Sequence, residues 1–306
     1  MLKTYYKEIG DEKVTVLRDP RPGSWISLET SSEQDLKKFS KKFKLDEDIL
    51  KDVLDIYEAP RIETDKNNVY LFMTFPNLEN EVTFPLPVLI VLNHDYIFTI
   101  SSRPMPFVEK LLKSEIPFST VDKNELLVRL LQNIYHQFNV FIHRFSRRIR
   151  QKGVQLEKIS NNDIVQFVNF ESVLNDFLFD FIPASNVFTA LLSGKVVTFT
   201  KEQRVPIDDL MLSNNQLIEI ARSNLKNMVN IREAYSTIMT NNLNRVIKTF
   251  TSLTVVLTIP TMIASIYGMN VKLPFDQDPH AFIGILSVII IISVVLVGVF
   301  FKKDWL

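Results

Sequence analysis

Asn244, Thr251, Thr258 and Ser265 are spaced by seven, and Ile247, Thr254, Thr261 and Gly268 form a second series offset by three. Interleaved, the two series advance by threes and fours along one helix face. From Thr251 to Gly268, five of the six positions carry a hydroxyl and the sixth is glycine. The other faces carry Leu253, Val255, Val256, Leu257, Ile259, Ile263 and Ile266. Two chemistries fit such a stripe. The hydroxyls can bond back to their own helix or pack against a neighbour. Alternatively, they can face a water-filled axis between symmetry-related copies. His136 and His143, seven apart on an amphipathic stretch, are also metal-capable. Without a nearby acidic partner they read as packing or surface residues. No Ser/His/Asp set, pair of catalytic carboxylates or phosphate loop can be assembled, so an enzyme is not expected.

The stripe lies in the first of two apolar runs. Residues 249–271 contain no charge over 23 positions, and residues 281–301 add 21 more. A bilayer core needs about 20 apolar residues at about 1.5 Å each. Both runs therefore read as membrane spans, at about 249–267 and 281–301. The second has two serines and no stripe, which makes it the lipid-facing partner. Arg245 and Lys248 precede the first span, and Lys302 and Lys303 follow the second. The connecting loop, 268–280, carries Lys272, Asp276 and Asp278. The excess of cations at the outer flanks places both termini in the cytoplasm. The polar N-terminus does not read as a signal peptide.

The long stretch before the spans must position them. With 35 Lys+Arg against 35 Asp+Glu, the chain lacks the basic excess of a nucleic-acid binder. Without cysteine it has no disulfide, thiolate metal site or Cys nucleophile. Residues 1–120 read as α/β. Strands are expected at 25–28, 69–75, 86–92 and 96–100, the last two joined by a turn at Asn93-His94-Asp95. Those last two, rich in β-branched and aromatic residues and joined by a tight turn, argue for an antiparallel sheet. Residues 32–55 read as two helices, with Thr30 and Ser31 as N-caps. Helical periods return at 124 and again at 163–192. Pro206 fits the first turn of a helix. Residues 207–259 then contain neither Gly nor Pro. One helix over about 207–267, roughly 90 Å long, is expected. It needs neighbours, which suggests an oligomeric bundle.

The first span ends in Tyr267-Gly268-Met269-Asn270. The tripeptide is followed by a second span and the tail Phe301-Lys302-Lys303-Asp304-Trp305-Leu306, and preceded by the long helix. In this arrangement the chain resembles the CorA family of magnesium and cobalt channels. The passage from Leu50 through Asp52, Pro60 and Arg61 resembles the family's helix-to-strand transition. The resemblance implies a pentameric funnel: an α/β cytoplasmic domain (1–120), a helical stalk (121–248) and a membrane domain (249–306) in the cell inner membrane. It implies a selectivity filter of Gly268, Met269 and Asn270, with Gly268 giving the chain freedom to leave the helix. Thr258 and Thr261 would line the pore, Asn244 an inner polar ring, and Phe250 an apolar gate. The stripe itself includes the first three and not Phe250, and it turns Leu257 and Ile263 away. Mg²⁺ would be both the transported and the regulatory ion, with no other cofactor. Asp52 and Asp209, with Asp208 as a substitute, would bind the regulatory ion between protomers; otherwise Asp208 and Asp209 are solvated acids in a helix's first turn.

Some residues depart from that pattern. Lys272 stands where many members carry an acidic loop, and Arg144, Arg147, Arg148, Arg150 and Lys152 make a helix basic. Between positions 201 and 250 there are seven basic and five acidic residues. Zn²⁺ or another divalent ion on the same fold is therefore an alternative, and a non-conducting membrane-anchored sensor is a second.

Overall fold

The computed structural model describes residues 1–11, 13–79, 82–113, 118–153, 160–271, 274 and 279–305. It divides into two compact units, 1–230 and 231–306. The first opens with β1 (Leu2–Tyr6), β2 (Thr15–Leu17), β3 (Trp25–Glu29), α1 (Glu33–Phe43) and α2 (Glu47–Asp52). Then come β4 (Arg61–Asp65), β5 (Asn68–Glu79), β6 (Val82–Leu92), β7 (Ile97–Ser101) and α3 (Pro106–Leu112). The helices α4 (Lys123–Gly153), α5 (Asn161–Leu192) and α6 (Lys201–Tyr267) follow.

The seven strands form one sheet in the order β2-β1-β3-β7-β6-β5-β4. The two strands joined by the tight turn, β6 and β7, pair antiparallel as expected, but the sheet is not antiparallel throughout: β3 and β7 pair in parallel, from Trp25 opposite Ile97 to Glu29 opposite Ser101. The chain leaves β3 through α1, α2 and the β4–β6 meander before returning beside it, so the sheet is mixed. The turn at 93–95 is as expected. The Asn93 carboxamide oxygen accepts from the backbone N–H of Asp95 (3.0 Å) and Tyr96 (2.7 Å), a side-chain turn that sets the β6–β7 register.

Alternation along the strands fills one face of the sheet with Ile26, Leu28, Tyr70, Phe72, Leu89, Val91, Phe98 and Ile100. These pack against Leu36 and Phe39 of α1 and Leu50 of α2. The cap of α1 is Ser32, neither Thr30 nor Ser31: its hydroxyl accepts from the Asp35 N–H. Thr30 is instead held in the turn, donating to the Asp35 carboxylate at 3.2 Å. On the opposite face, Phe75 meets Phe107 of α3 edge-on at 5.3 Å.

A buried polar chain ties the three long helices together. Tyr135 of α4 donates to Asn214 of α6 at 2.8 Å. Asn214 donates in turn to the Phe181 carbonyl and the Ser185 hydroxyl of α5, each at 2.8 Å. The helix α6 starts six residues before the expected 207. Thr200 and Gln203 cap it reciprocally, each side chain accepting the other's backbone N–H (3.3 and 3.2 Å). Pro206 therefore sits in the second turn rather than the first, and Asp208 and Asp209 lie beyond the reach of the N-terminal dipole.

The second unit contains the rest of α6 and α7 (Ala281–Lys302). Both helices are long and apolar enough to cross a membrane. They run antiparallel: Ile263 and Tyr267 lie beside Gly284 and Val288, while Ser252 lies at the Trp305 end. Ser252 is fully buried, and Val255, Val256, Ile259 and Ile263 are half-buried, marking the face of α6 that α7 covers. After α7 the chain turns back sharply. Trp305 N–H donates to the Phe300 carbonyl (3.0 Å) and Asp304 N–H to that of Phe301 (3.2 Å), with Asp304 left-handed at φ 53°. This is a Schellman ending, completed by the Trp305 ring stacked on Phe300 at 5.7 Å.

Candidate functional site

The stripe positions Asn244, Thr251, Thr254, Thr258, Thr261 and Ser265 are all exposed along α6. At about 100° per residue they fall on the side away from Ser252, Ile259 and Ile263, so α7 leaves them bare. Thr254, Thr258 and Thr261 donate to the carbonyls of Phe250, Thr254 and Leu257 at 2.8, 2.7 and 2.8 Å. The local bonding of the first chemistry is thus present, together with the exposure that the second requires. Phe250 is 66% exposed. It lies two residues, or about 200°, from Ser252, on the flank of the same bare side. Leu257, 59% exposed, follows it by seven residues and shares that flank, whereas Ile263 is turned to α7. Packing within the chain therefore supports turning away Ile263 but not Leu257.

The helix stops at Tyr267, and Gly268, Met269 and Asn270 follow in an exposed turn. Gly268 donates to the carbonyls of Ala264 (3.0 Å) and Ser265 (3.2 Å). Its φ is not left-handed, and a Cβ there would meet those oxygens at ordinary contact distances, 3.5 and 3.6 Å. The turn does not need glycine's freedom, contrary to expectation. Lys272, Asp276 and Asp278 lie outside the described residues.

Asp52 closes α2 and binds Arg61 at 2.7 Å. The same guanidinium pairs with Glu58 and Glu63 and covers the Phe72 ring at 4.0 Å. Asp208 and Asp209 are exposed. Among the described residues no three His, Asp or Glu side chains form a group that could hold a metal. His136 and His143 are exposed on α4. Sequence reasoning missed Asp180 on α5, 3% exposed and beside Thr74 of β5. Burial pushes its carboxyl up to about 8, Asp176 adds to the rise, and a hydrogen bond from Thr74 opposes it. Burial also holds the Tyr135 phenol well above its usual range. The only sign in the sequence was a pair of Asp residues four apart in an aromatic-rich helix.

A family model described as CorA-like Mg²⁺ transporter protein matches residues 23–303. The cobalt/magnesium transport protein CorA of Methanocaldococcus jannaschii is 22% identical over 294 residues, 92% of this chain and 91% of that protein. The magnesium transport protein CorA of Helicobacter pylori strain J99 is 26% identical over 255 residues, 79% of this chain and 78% of that one. Among solved structures, the complete CorA magnesium transporter of M. jannaschii superposes with a TM-score of 0.86 at 20% identity, covering 100% of this chain and 99% of that one.

Proposed function

The chain belongs to the CorA-like Mg²⁺ transporter protein family, and from that premise we propose that it is a homopentameric channel of the cell inner membrane carrying Mg²⁺, and Co²⁺ as well. The relatives named above are transporters, which favours transport over catalysis. The observation that carries the proposal is the line of hydroxyls on α6 left bare by α7. In a ring of copies that face meets the axis, with α7 outside. Thr258, Thr261 and Asn244 line the path, and Phe250 narrows its inner end. Five copies of Asn270 close the outer mouth as a ring of carboxamide oxygens.

Mg²⁺ sheds its water reluctantly and prefers octahedral oxygen. A carboxamide oxygen accepts hydrogen bonds from coordinated water without the hold of a carboxylate, so the hydrated ion is recognised and released. Both termini face the cytoplasm by the charge of the flanks. There Asp52 and Asp209, with Asp208 beside it, bind regulatory Mg²⁺ between protomers and favour closure. Purified protein in liposomes loaded with a Mg²⁺ indicator tests the proposal, with Co²⁺ and Zn²⁺ in parallel. Mg²⁺ entry driven by its gradient supports it. Entry of Zn²⁺ alone moves the chain to the alternative cargo, and no flux of any ion leaves the membrane-anchored sensor.

A further inference from the structure

The Schellman ending of α7 builds a second feature in the membrane unit. Asp304 and Trp305 face Asn241, Arg245, Lys248 and Thr249 of α6 across a groove of about 610 Å³, with Asn244 and Ile247, on the stripe side by helix rotation, at its edge. One wall is regular helix. The other is fixed by the two backbone bonds of the turn, the stacking of Trp305 on Phe300, and a bond from the Ser252 hydroxyl to the Trp305 carbonyl (3.4 Å). The groove is lined by two cations, Arg245 and Lys248, and Lys302 and Lys303 directly precede its Asp304 in sequence. All four are exposed, and none forms an ion pair among the described residues.

The level of this groove identifies its occupant. The charge-free run of α6 begins directly after Lys248, and that of α7 ends directly before Lys302. On the membrane reading these cations lie where apolar chain gives way to water, the depth of phospholipid headgroups, and Trp305 has the amphipathic ring typical of that level. We propose that the groove binds the headgroup of an acidic phospholipid. The forked guanidinium of Arg245 matches two phosphate oxygens, and Lys248 adds a point charge. Asn241 and Thr249 supply neutral donors. Asp304, the one anion in the lining, accepts from headgroup hydroxyls, which suits a glycerol headgroup. Cations on the cytoplasmic side also orient the spans, but orientation alone requires neither a groove nor an aromatic ring held beside them.

The proposal rests on the membrane reading and not on conduction. The chain has two tryptophans, and Trp25 is fully buried in the sheet, so bromine on acyl chains can quench only Trp305. The full chain is reconstituted in phosphatidylcholine vesicles doped with either brominated phosphatidylglycerol or brominated phosphatidylcholine at equal mole fraction. Several-fold stronger quenching by the acidic lipid is expected. The excess should vanish in the R245Q/K248Q variant and persist in K302Q/K303Q. Equal quenching of the native chain by both lipids would mean an interfacial tryptophan with no headgroup choice, and overturns the site. Absence of quenching would mean that protein, such as a second copy, covers Trp305, and also overturns it. Loss of the excess in K302Q/K303Q as much as in R245Q/K248Q would mean diffuse attraction, with the same consequence. Ion flux from the same vesicles reports on the pore separately.

Discussion

Asn270 carries the most weight of any single side chain in the proposed function. Asn270→Ala should reduce Mg²⁺ uptake to background in a magnesium-auxotrophic host while the oligomer keeps its size. A correctly assembled variant with native uptake removes the selectivity ring. Asp180 makes a prediction of a different kind. In the folded chain its carboxyl keeps a proton to about pH 8, whereas an unfolded Asp loses it near 4. Between those values the folded state binds more protons, so native stability falls as pH rises. Asp180→Asn has no such proton, and its advantage over the native chain should grow from pH 4 to 8, with an upper bound of roughly 5 kcal/mol. Thermal unfolding of the detergent-solubilised chain, followed by Trp25 fluorescence in a Trp305→Phe background, measures it. A constant difference across that range would show that Asp180 ionises normally. The hydroxyl stripe was legible because oxygens stand out in an apolar run. Asp180 was not, because a lone Asp on a helix does not say which way it faces. Nor was the hold of Arg61 on Asp52, which depends on how the chain passes from α2 into β4.

The most informative element is α6, and the absence of native cysteine makes it easy to probe. Single cysteines at 258 and 261 should react with a water-soluble thiol reagent and block flux. Cysteine at 250 should do the same if the phenylalanine narrows the path. Cysteine at 263, against α7, should be silent, and 259 is a second silent control on that face. Equal block at 258, 261, 259 and 263 would mean that the stripe only packs. Position 257, which shares the flank of Phe250, measures the width of the lined face. The length of α6 was readable from the absence of Gly and Pro over residues 207–259. Its start was not, because Pro206 is a stronger signal in sequence than the Thr200–Gln203 cap. In the sheet, the β6–β7 hairpin was encoded locally. The β3–β7 pair was not, since parallel neighbours separated by some 70 residues leave no common mark in the chain.

At the scale of the whole molecule, no three His, Asp or Glu side chains among the described residues form a metal group, so the proposed regulatory ion on Asp52 and Asp209 would draw on ligands from a neighbouring copy. Asp52→Asn together with Asp209→Asn should raise the Mg²⁺ concentration that protects the assembled protein from proteolysis, by on the order of tenfold for two lost carboxylate ligands. Protection at the native concentration would exclude these residues as the sensor. The fold itself should hold. Arg61 keeps Glu58 and Glu63, and a half-exposed ion pair contributes at most about 1 kcal/mol. The two spans and the long helix were legible because membranes and helices impose lengths. The assembly was only suggested, since it depends on surfaces that one sequence presents without their partners.

The threonine bonds along α6 also set the sign of what those residues present. Each hydroxyl has one proton, and Thr254, Thr258 and Thr261 direct theirs at a carbonyl of their own helix. Only lone pairs remain to face outward. Around an axis, such rings form a lining that is electronegative without any ionised group. Chloride would find no donor at these three threonine rings, while the protons of a magnesium ion's water would find an acceptor at each. Rejection of anions then needs no acidic funnel, and a chain with seven cations against five anions in its long helix loses nothing by it.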